Sequence, residues 1–348
     1  MNTSLTTSTR ACGNSECRVA ETGVCMEGHV PIEACPHLGD PDVDHNLDDE
    51  EHKSSDSPLS LLADFTAVHS GEALTERDVR DFIRWRAARR VAIIGDLSSG
   101  KTTLMCALYD RYLRGPFAGM SFVGSRSLVA LERRSHYARE ASGRVTPDTK
   151  RTSHTDGLLY YHFAVAPTGV PTKRVDLLLS DRAGEVYQRV RDDASAAQDL
   201  AELKEADRIV LLLDGARVAQ IESWTNSIHG VRFLLRALLD GGAIGSTSVV
   251  QIVTTKIDLV RAAPDQEEVQ KRLERFKANL TENFSQRLRS LTFWEVAARP
   301  TDMAQPPVGL DSLLVDWVTP APLESMSETT SLNIRSEFDR LLLRTTMS

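Results

Sequence analysis

Apolar and polar positions along this chain follow two alternating periods. Val79, Phe82, Ile83 and Ala87 recur at i, i+3, i+4 and i+8, the spacing of one helix face. Thr75, with Asp78 three residues on, is an approximate capping box, so the spacing predicts a helix starting there. The next run, Val91–Ile94, is wholly apolar and mostly β-branched, and it stops at Gly95. Such a run predicts a strand covered on both faces. Similar runs predict strands at Leu158–Ala166, Val175–Ser180, Arg208–Leu213, Ser248–Thr254 and Leu291–Val296. Helical spacing lies between them. It covers Thr103–Arg114, then Ile221, Trp224, Ile228, Val231, Leu235 and Leu238, and then Val269, Leu273, Phe276, Leu280 and Phe284. Leu310, Leu313, Leu314 and Trp317 predict a last helix.

This alternation implies an α/β fold: a mostly parallel sheet with helices on both faces. The strands Leu158–Ala166 and Val175–Ser180 are joined only by Pro167–Pro171. That link is too short for a crossover, so one antiparallel strand is expected. No internal repeat is present. The expected organisation is a Cys/His-rich segment at 1–38, an acidic linker at 39–72, a domain at 73–318 and a Ser/Thr-rich tail at 319–348. Between Asp40 and Asp56 stand eight acidic residues against Lys53 alone, a stretch that repels itself and buries little.

Composition narrows the class. The chain has 348 residues, 41% hydrophobic and 26% charged, which supports a sizeable core. Its apolar runs, such as Ile209–Leu213, fall far short of the ~20 residues of a membrane-spanning helix. Met1–Arg10 is polar, so a cytoplasmic protein with no membrane partner is expected. A net charge of −8 argues against a generic polyanion binder.

Gly95-Asp-Leu-Ser-Ser-Gly-Lys-Thr102 matches the phosphate-loop pattern G-x-x-x-x-G-K-[ST], with a strand before it and a helix after. Gly95 and Gly100 let the backbone turn its N–H groups inward. Asp96, Ser98, Ser99 and Thr103 complete the loop and helix start. Lys101 supplies a cation to the β- and γ-phosphates, and Thr102 a hydroxyl to Mg²⁺. Asp181-Arg-Ala-Gly184 follows a strand: Asp181 is a candidate for Mg²⁺ through water, and Gly184 for an N–H bond to the γ-phosphate. Thr255-Lys256-Ile-Asp258 closes another strand. Its Asp carboxylate can accept two N–H bonds from the guanine edge, which adenine does not offer, and the Lys256 stem can cover the base.

With these motifs the chain resembles P-loop GTPases of the Ras-like, translation-factor-related (TRAFAC) class, over residues 88–318. Thr255–Asp258 is then a T-K-x-D variant of N-K-x-D. Val296-Ala-Ala-Arg299 stands where S-A-K is usual, and a backbone N–H near Ala298 would face the base. More narrowly, the chain is similar to bacterial double-GTPase proteins of conflict-system gene clusters, which carry a Cys-rich N-terminal segment. That resemblance implies GTP and GDP as ligands, GTP hydrolysis, and effector or partner GTPase proteins.

Some features depart from a minimal GTPase. Lys101 and Asp181 are 80 residues apart, so an insertion lies near 115–155. From Arg126 to Arg151 it carries seven basic residues (Arg126, Arg133, Arg134, Arg139, Arg144, Lys150 and Arg151) against three acidic ones. These read as a solvated face, an internal arginine finger, a partner surface or a nucleic-acid contact. Thr152 and Thr155 are the first-switch candidates, with Thr155 nearer the strand. Glu185 stands where many relatives carry a water-orienting Gln, and its charge implies slow intrinsic hydrolysis.

Cys12, Cys17, Cys25 and Cys35 crowd the N-terminus, with His29 and His37 nearby. Four thiolate or imidazole ligands suit tetrahedral zinc, in a structural or partner-binding role. Cys106, in the helix after the phosphate loop, reads as a core residue. Two other classes remain beside a regulatory GTPase. A P-loop ATPase is opposed by Lys256 and Asp258. A zinc-containing nucleic-acid-binding module is opposed by the net charge.

Overall fold

The computed structural model describes Val19, Val24, Cys25, residues 30–32, Cys35, and residues 69–136, 157–301 and 305–320. The chain divides into two units, Met1–Thr66 and Ala67–Ser348. In the first, Val19, Cys25 and Cys35 are buried.

The second unit is built on seven strands: β1 (Arg89–Gly95), β2 (Met120–Gly124), β3 (Leu159–Pro167), β4 (Val175–Asp181), β5 (Arg208–Asp214), β6 (Val249–Thr255) and β7 (Ser290–Glu295). Their order across the sheet is β2-β3-β4-β1-β5-β6-β7. β3 pairs antiparallel with both neighbours, and every other pairing is parallel. β3 is therefore the one strand that runs against the rest.

The helices among the described residues are α1 (Glu76–Trp85), α2 (Lys101–Leu113), α3 (Leu128–His136), α4 (Gly184–Asp192), α5 (Ala201–Lys204), α6 (Gly215–Val218), α7 (Ile221–Asp240), α8 (Ile257–Arg261), α9 (Gln266–Phe284) and α10 (Leu310–Val318). α1 starts at Thr75 with the expected capping box, Thr75 and Asp78 bonding each other's backbone N–H. The strands alternate between two cores, as a period of two requires. Ala92 and Ile94 of β1 face one core with α4, α7 and α9, while Val91 and Ile93 face the other with α2, α3 and α10. Cys106 is buried in α2, in the second core, as expected. α1 covers Tyr160 and Leu178 through Val79 and Phe82.

The expected strands lie within one residue of β1 and β3–β7 at most ends, although β1 extends two residues earlier than its apolar run. The insertion differs from its reading as a basic stretch alone, because it holds β2 and α3. β2 pairs only with β3, at the sheet edge, and carries no fully buried side chain. Four of its five residues are half-covered and Val123 is exposed, which gives no clear alternation to read.

Sheet topology places the site. After β1 the chain builds β2, β3 and β4 on one side, ending with β4 beside β1, and then crosses to β5 on the other. The carboxyl ends of parallel strands at such a reversal form a crevice where ligands bind. The phosphate loop, Asp181, Asp214 and Thr255–Asp258 all follow or close these strand ends.

Candidate active site

The loop from Gly95 to Gly100 turns through left-handed backbone at Gly95 (φ 151°), Ser98 (φ 63°) and Gly100 (φ 99°). Gly100 caps α2 and, being glycine, supplies no side-chain cap bond. The first turn also carries no acidic residue. A helix start without a side-chain cap or an acidic first turn, led by Lys101, Thr102 and Thr103, suits an anion. Lys101 is 8% exposed, and its Nζ donates to the carbonyls of Gly95 (2.8 Å) and Asp96 (3.0 Å). Burial lowers the pKa of its ammonium, and the carboxylates of Asp181, Asp96 and Glu185 pull it back up. A cation held among carboxylates and desolvated in this manner gains from an incoming phosphate.

Asp181 closes β4 fully buried, with Arg134 Nη1 3.6 Å from its Oδ2. Gly184, three residues on, is pressed against the phosphate loop. A Cβ there would lie 2.7 Å from Leu97 N and 2.9 Å from the Asp96 carbonyl carbon, so only glycine fits. Arg182 and Tyr187 fix this segment from behind, both reaching Glu202 Oε1, at 3.2 and 3.3 Å. Glu185 sits in the first turn of α4, half-buried.

On the other side of the loop lies a cleft of about 250 Å³. Thr255, Lys256, Asp258, Ala298, Arg299 and Thr301 line it, together with Gly100 and Thr103. Thr255 Oγ1 lies 2.9 Å from Ser99 O and 3.2 Å from Leu213 O, and its single hydroxyl proton is shared between them. Lys256 Nζ donates to Ser98 O at 3.1 Å and to Asp214 Oδ2 at 3.0 Å. Its stem thereby runs beside the loop. Asp258 Oδ2 accepts two bonds from Thr301, while its Oδ1 is buried with no partner. An unsatisfied carboxylate oxygen in a cleft wall calls for an N–H donor from whatever fills the cleft.

The Double-GTPase 2 family profile matches residues 89–318 of this chain. The chain belongs to the Double-GTPase 2 family. It is a P-loop GTPase that binds and hydrolyses GTP. Solved structures with a similar fold include the signal recognition particle receptor SRb–GTP/SRX complex from Chaetomium thermophilum, at 15% identity and TM-score 0.36, covering 67% of this chain and 97% of that one. The S. cerevisiae Ski7 GTPase-like domain bound to GTP matches at 18% identity and TM-score 0.38, covering 69% and 52%. Elongation factor SelB from Methanococcus maripaludis, with a GTP analogue, matches at 14% identity and TM-score 0.35, covering 68% and 36%. No curated protein matches the chain.

In this Double-GTPase 2 chain the sequence motifs converge from four strand ends. Gly95–Thr103 and Gly184 meet at the loop, and Thr255–Asp258 meet Ala298 across the cleft. Thr152 and Thr155 lie outside the described residues, as do Cys12 and Cys17. Among the described residues no group of three or more His, Cys, Asp or Glu could hold a metal ion, and no helix is long and apolar enough to cross a membrane. Two residues escaped the reading. Asp214 ends β5 and pairs with Lys256; an acidic residue closing an apolar strand, as Asp181 does, was the available signal. Thr301 carried none, because its partner is 43 residues away. The described basic residues of the insertion all face protein groups: Arg126 lies over the Phe82 ring, Arg133 forks onto Glu72, and Arg134 meets Asp181.

Proposed function

We propose that this GTPase is a magnesium-dependent switch that hydrolyses GTP slowly and acts with partner proteins, in a bacterial conflict system as its double-GTPase relationship implies. The observation that carries the reading is the convergence of a helix start without a side-chain cap, a buried acidic strand end and a carboxylate-walled cleft around one loop. The loop N–H groups and Lys101 hold the β- and γ-phosphates. Lys256 covers the base, Asp258 accepts from the guanine edge, and a backbone N–H near Ala298 completes that edge. Thr102 and Asp181 offer hydroxyl and carboxylate oxygens, the donors Mg²⁺ takes, and the Arg134 cation 3.6 Å from Asp181 is consistent with an ionised carboxylate there. Bound there, the metal would neutralise charge on the phosphate oxygens.

Water attacks the γ-phosphorus in line with the leaving β-phosphate oxygen. Lys101 offsets the charge that develops, and Gly184 N–H bonds the γ-phosphate. Glu185 can accept a proton bond from the attacking water, but its charge also repels the phosphate, which supports a slow rate. Thr155 remains the candidate that orders the first switch. Zinc on Cys12, Cys17, Cys25 and Cys35 rests on the crowding and spacing of those cysteines in the sequence alone. Metal analysis of the purified chain, one zinc or none, decides that point.

The main test is titration with labelled GTP, GDP and ATP in Mg²⁺, on wild type, Asp258→Asn and Lys101→Ala. The expected result is selective guanine binding, lost in Asp258→Asn, and weak binding of any nucleotide by a folded Lys101→Ala. Equal binding of ATP by wild type would overturn the guanine assignment. In single-turnover assays, an unchanged rate for Glu185→Ala would remove Glu185 from the mechanism.

A further inference from the structure

Gly184, Tyr187 and Arg191 recur at i, i+3 and i+7 along α4 and so share one face of that helix. Each of them faces the phosphate loop or its lysine. Gly184 leaves no room for a Cβ against Leu97 N and the Asp96 carbonyl carbon. Tyr187 is fully buried, with its ring centre 5.9 Å from Lys101 Nζ. Arg191 Nη1 donates to Asp96 Oδ2 at 3.0 Å. Helical side chains slant toward the helix N-terminus, so Arg191, in the last turn, reaches back along α4 to the loop. The helix is thus fastened at its start and again seven residues on, about 10 Å along its axis.

A carboxylate within a phosphate loop repels the phosphates unless a cation answers it. Asp96 Oδ1 is buried with no partner, so Arg191 is the one side-chain donor to this carboxylate among the described residues. Both side chains of the pair are only 22% exposed, which sets it apart from a solvated surface pair. Gly230 of α7 makes the space for it. That glycine is not in left-handed backbone, so its conformation does not call for glycine. A Cβ there would lie 2.5 Å from Arg191 Nη1 and 3.2 Å from Asp96 Oδ2. Glycine weakens a helix interior relative to alanine, and here its presence lets the ion pair close.

We propose that Arg191 and Asp96 form a clasp, seated on Gly230, that holds α4 against the phosphate loop and thereby sets the preference for GTP over GDP. Both are positioning residues. They act through Gly184, whose N–H meets the γ-phosphate only while α4 lies on the loop. This rests on the γ-phosphate role of Gly184 given above. GDP has no γ-phosphate, so the placement of α4 bears on GTP alone. Loss of Arg191 by itself also leaves the Asp96 charge unanswered, which weakens both nucleotides; removing both residues takes that charge away and isolates the effect of position.

The test uses the full chain in saturating Mg²⁺ and reads the ratio of GTP to GDP affinity with fluorescent analogues, so that effects common to both nucleotides cancel. Arg191→Ala, Asp96→Ala and the double variant are each expected to lower the ratio by about tenfold, the double no more than either single, as partners in one contact do. Gly230→Ala favours the helix yet drives Arg191 off Asp96. It is expected to lower the ratio by the same factor in wild type and to have no effect in the Arg191→Ala background. Arg191→Lys can remake the single contact and is expected to keep most of the preference. If Arg191→Ala does not fold, Gly230→Ala decides by the same ratio. Losses that add in the double variant, or a Gly230→Ala effect that persists without Arg191, overturn the clasp. So does an unchanged ratio in a folded Arg191→Ala. Gly184→Ala separates the two levels. An unchanged ratio there as well would strike the γ-phosphate role beneath the proposal, whereas a ratio lowered in Gly184→Ala but not in Arg191→Ala strikes the clasp and leaves that role standing.

Discussion

Thr301 grips Asp258 twice, its N–H and its hydroxyl both reaching Oδ2 at 3.0 Å. That oxygen is saturated, and the buried Oδ1 is left to face a ligand. The orientation of the carboxylate is thus set from the loop after β7. Thr301→Ala removes one of the two bonds, and a bond to a charged group is worth about 1.5–3 kcal/mol. The expected outcome is GTP affinity lowered by about tenfold and a narrower margin over ATP, with Thr301→Ser close to wild type. Competition titrations check this, and identical curves for Ala and wild type would exclude a positioning role.

Gly184 predicts a different signature. Its added Cβ would meet backbone atoms of Asp96 and Leu97, which cannot swing aside as a side-chain tip can. Gly184→Ala must push the start of α4 off the phosphate loop. An N–H that meets only the γ-phosphate matters to GTP and not to GDP. The variant is expected to bind GDP as wild type does and GTP about tenfold more weakly, the scale of one charge-assisted bond. Equal losses for both nucleotides would indicate damage to the loop itself.

Asp214 predicts the opposite pattern. It caps α6 through Ala216 N and pairs with Lys256 at 2.9 Å while 6% exposed. Lys256, in left-handed backbone at φ 50°, also holds Ser98 O. Losing Asp214 frees the lysine stem that runs beside the loop, on the base side of the site. Asp214→Ala is expected to weaken GTP and GDP equally and to lower the melting temperature by several degrees, consistent with loss of a cap worth about 1 kcal/mol. Nucleotide titration and thermal unfolding measure both effects, and a loss confined to GTP would contradict them.

The parts legible in the sequence were those in which chemistry and position coincide. Gly95–Thr102 is read from its own spacing, because backbone turning, charge and hydroxyl must fall within eight residues. The strands β1 and β5 are read from continuous apolar runs, because both of their faces are covered. Thr301 and Asp214 act through tertiary contact with residues far along the chain. No local period encodes such contacts. β2 was missed for a related reason: an edge strand with half-covered side chains imposes little pattern.

His162 gives the fold a pH dependence of definite sign. It is 1% exposed in β3, where Nδ1 accepts from Arg126 N and Nε2 donates to Asp176 Oδ1 at 2.8 Å. Burial pushes its pKa below the ordinary value of 6.5; the bond to Asp176 opposes this, and Arg174 and Arg126 reinforce it. Protonation would also place a second N–H against that of Arg126. The unfolded chain therefore binds this proton more readily than the folded one, so stability rises with pH between the depressed folded pKa and about 6.5. Asp176 acts lower on the scale. Burial would raise its carboxyl, but bonds from Arg174 and His162 outweigh that and hold it below 3.8, so its contribution is lost only in stronger acid. Arg86, 3.8 Å from Asp176, adds to the positive charge facing the pair. Acidification from neutral pH is expected to lower the unfolding midpoint progressively, and His162→Gln to flatten that slope. Because Arg126 and Ser127 tie the insertion to His162, amide exchange in α3 is expected to quicken before exchange in β1 or β5. Stability that is flat or rising on acidification would show that His162 does not govern this window.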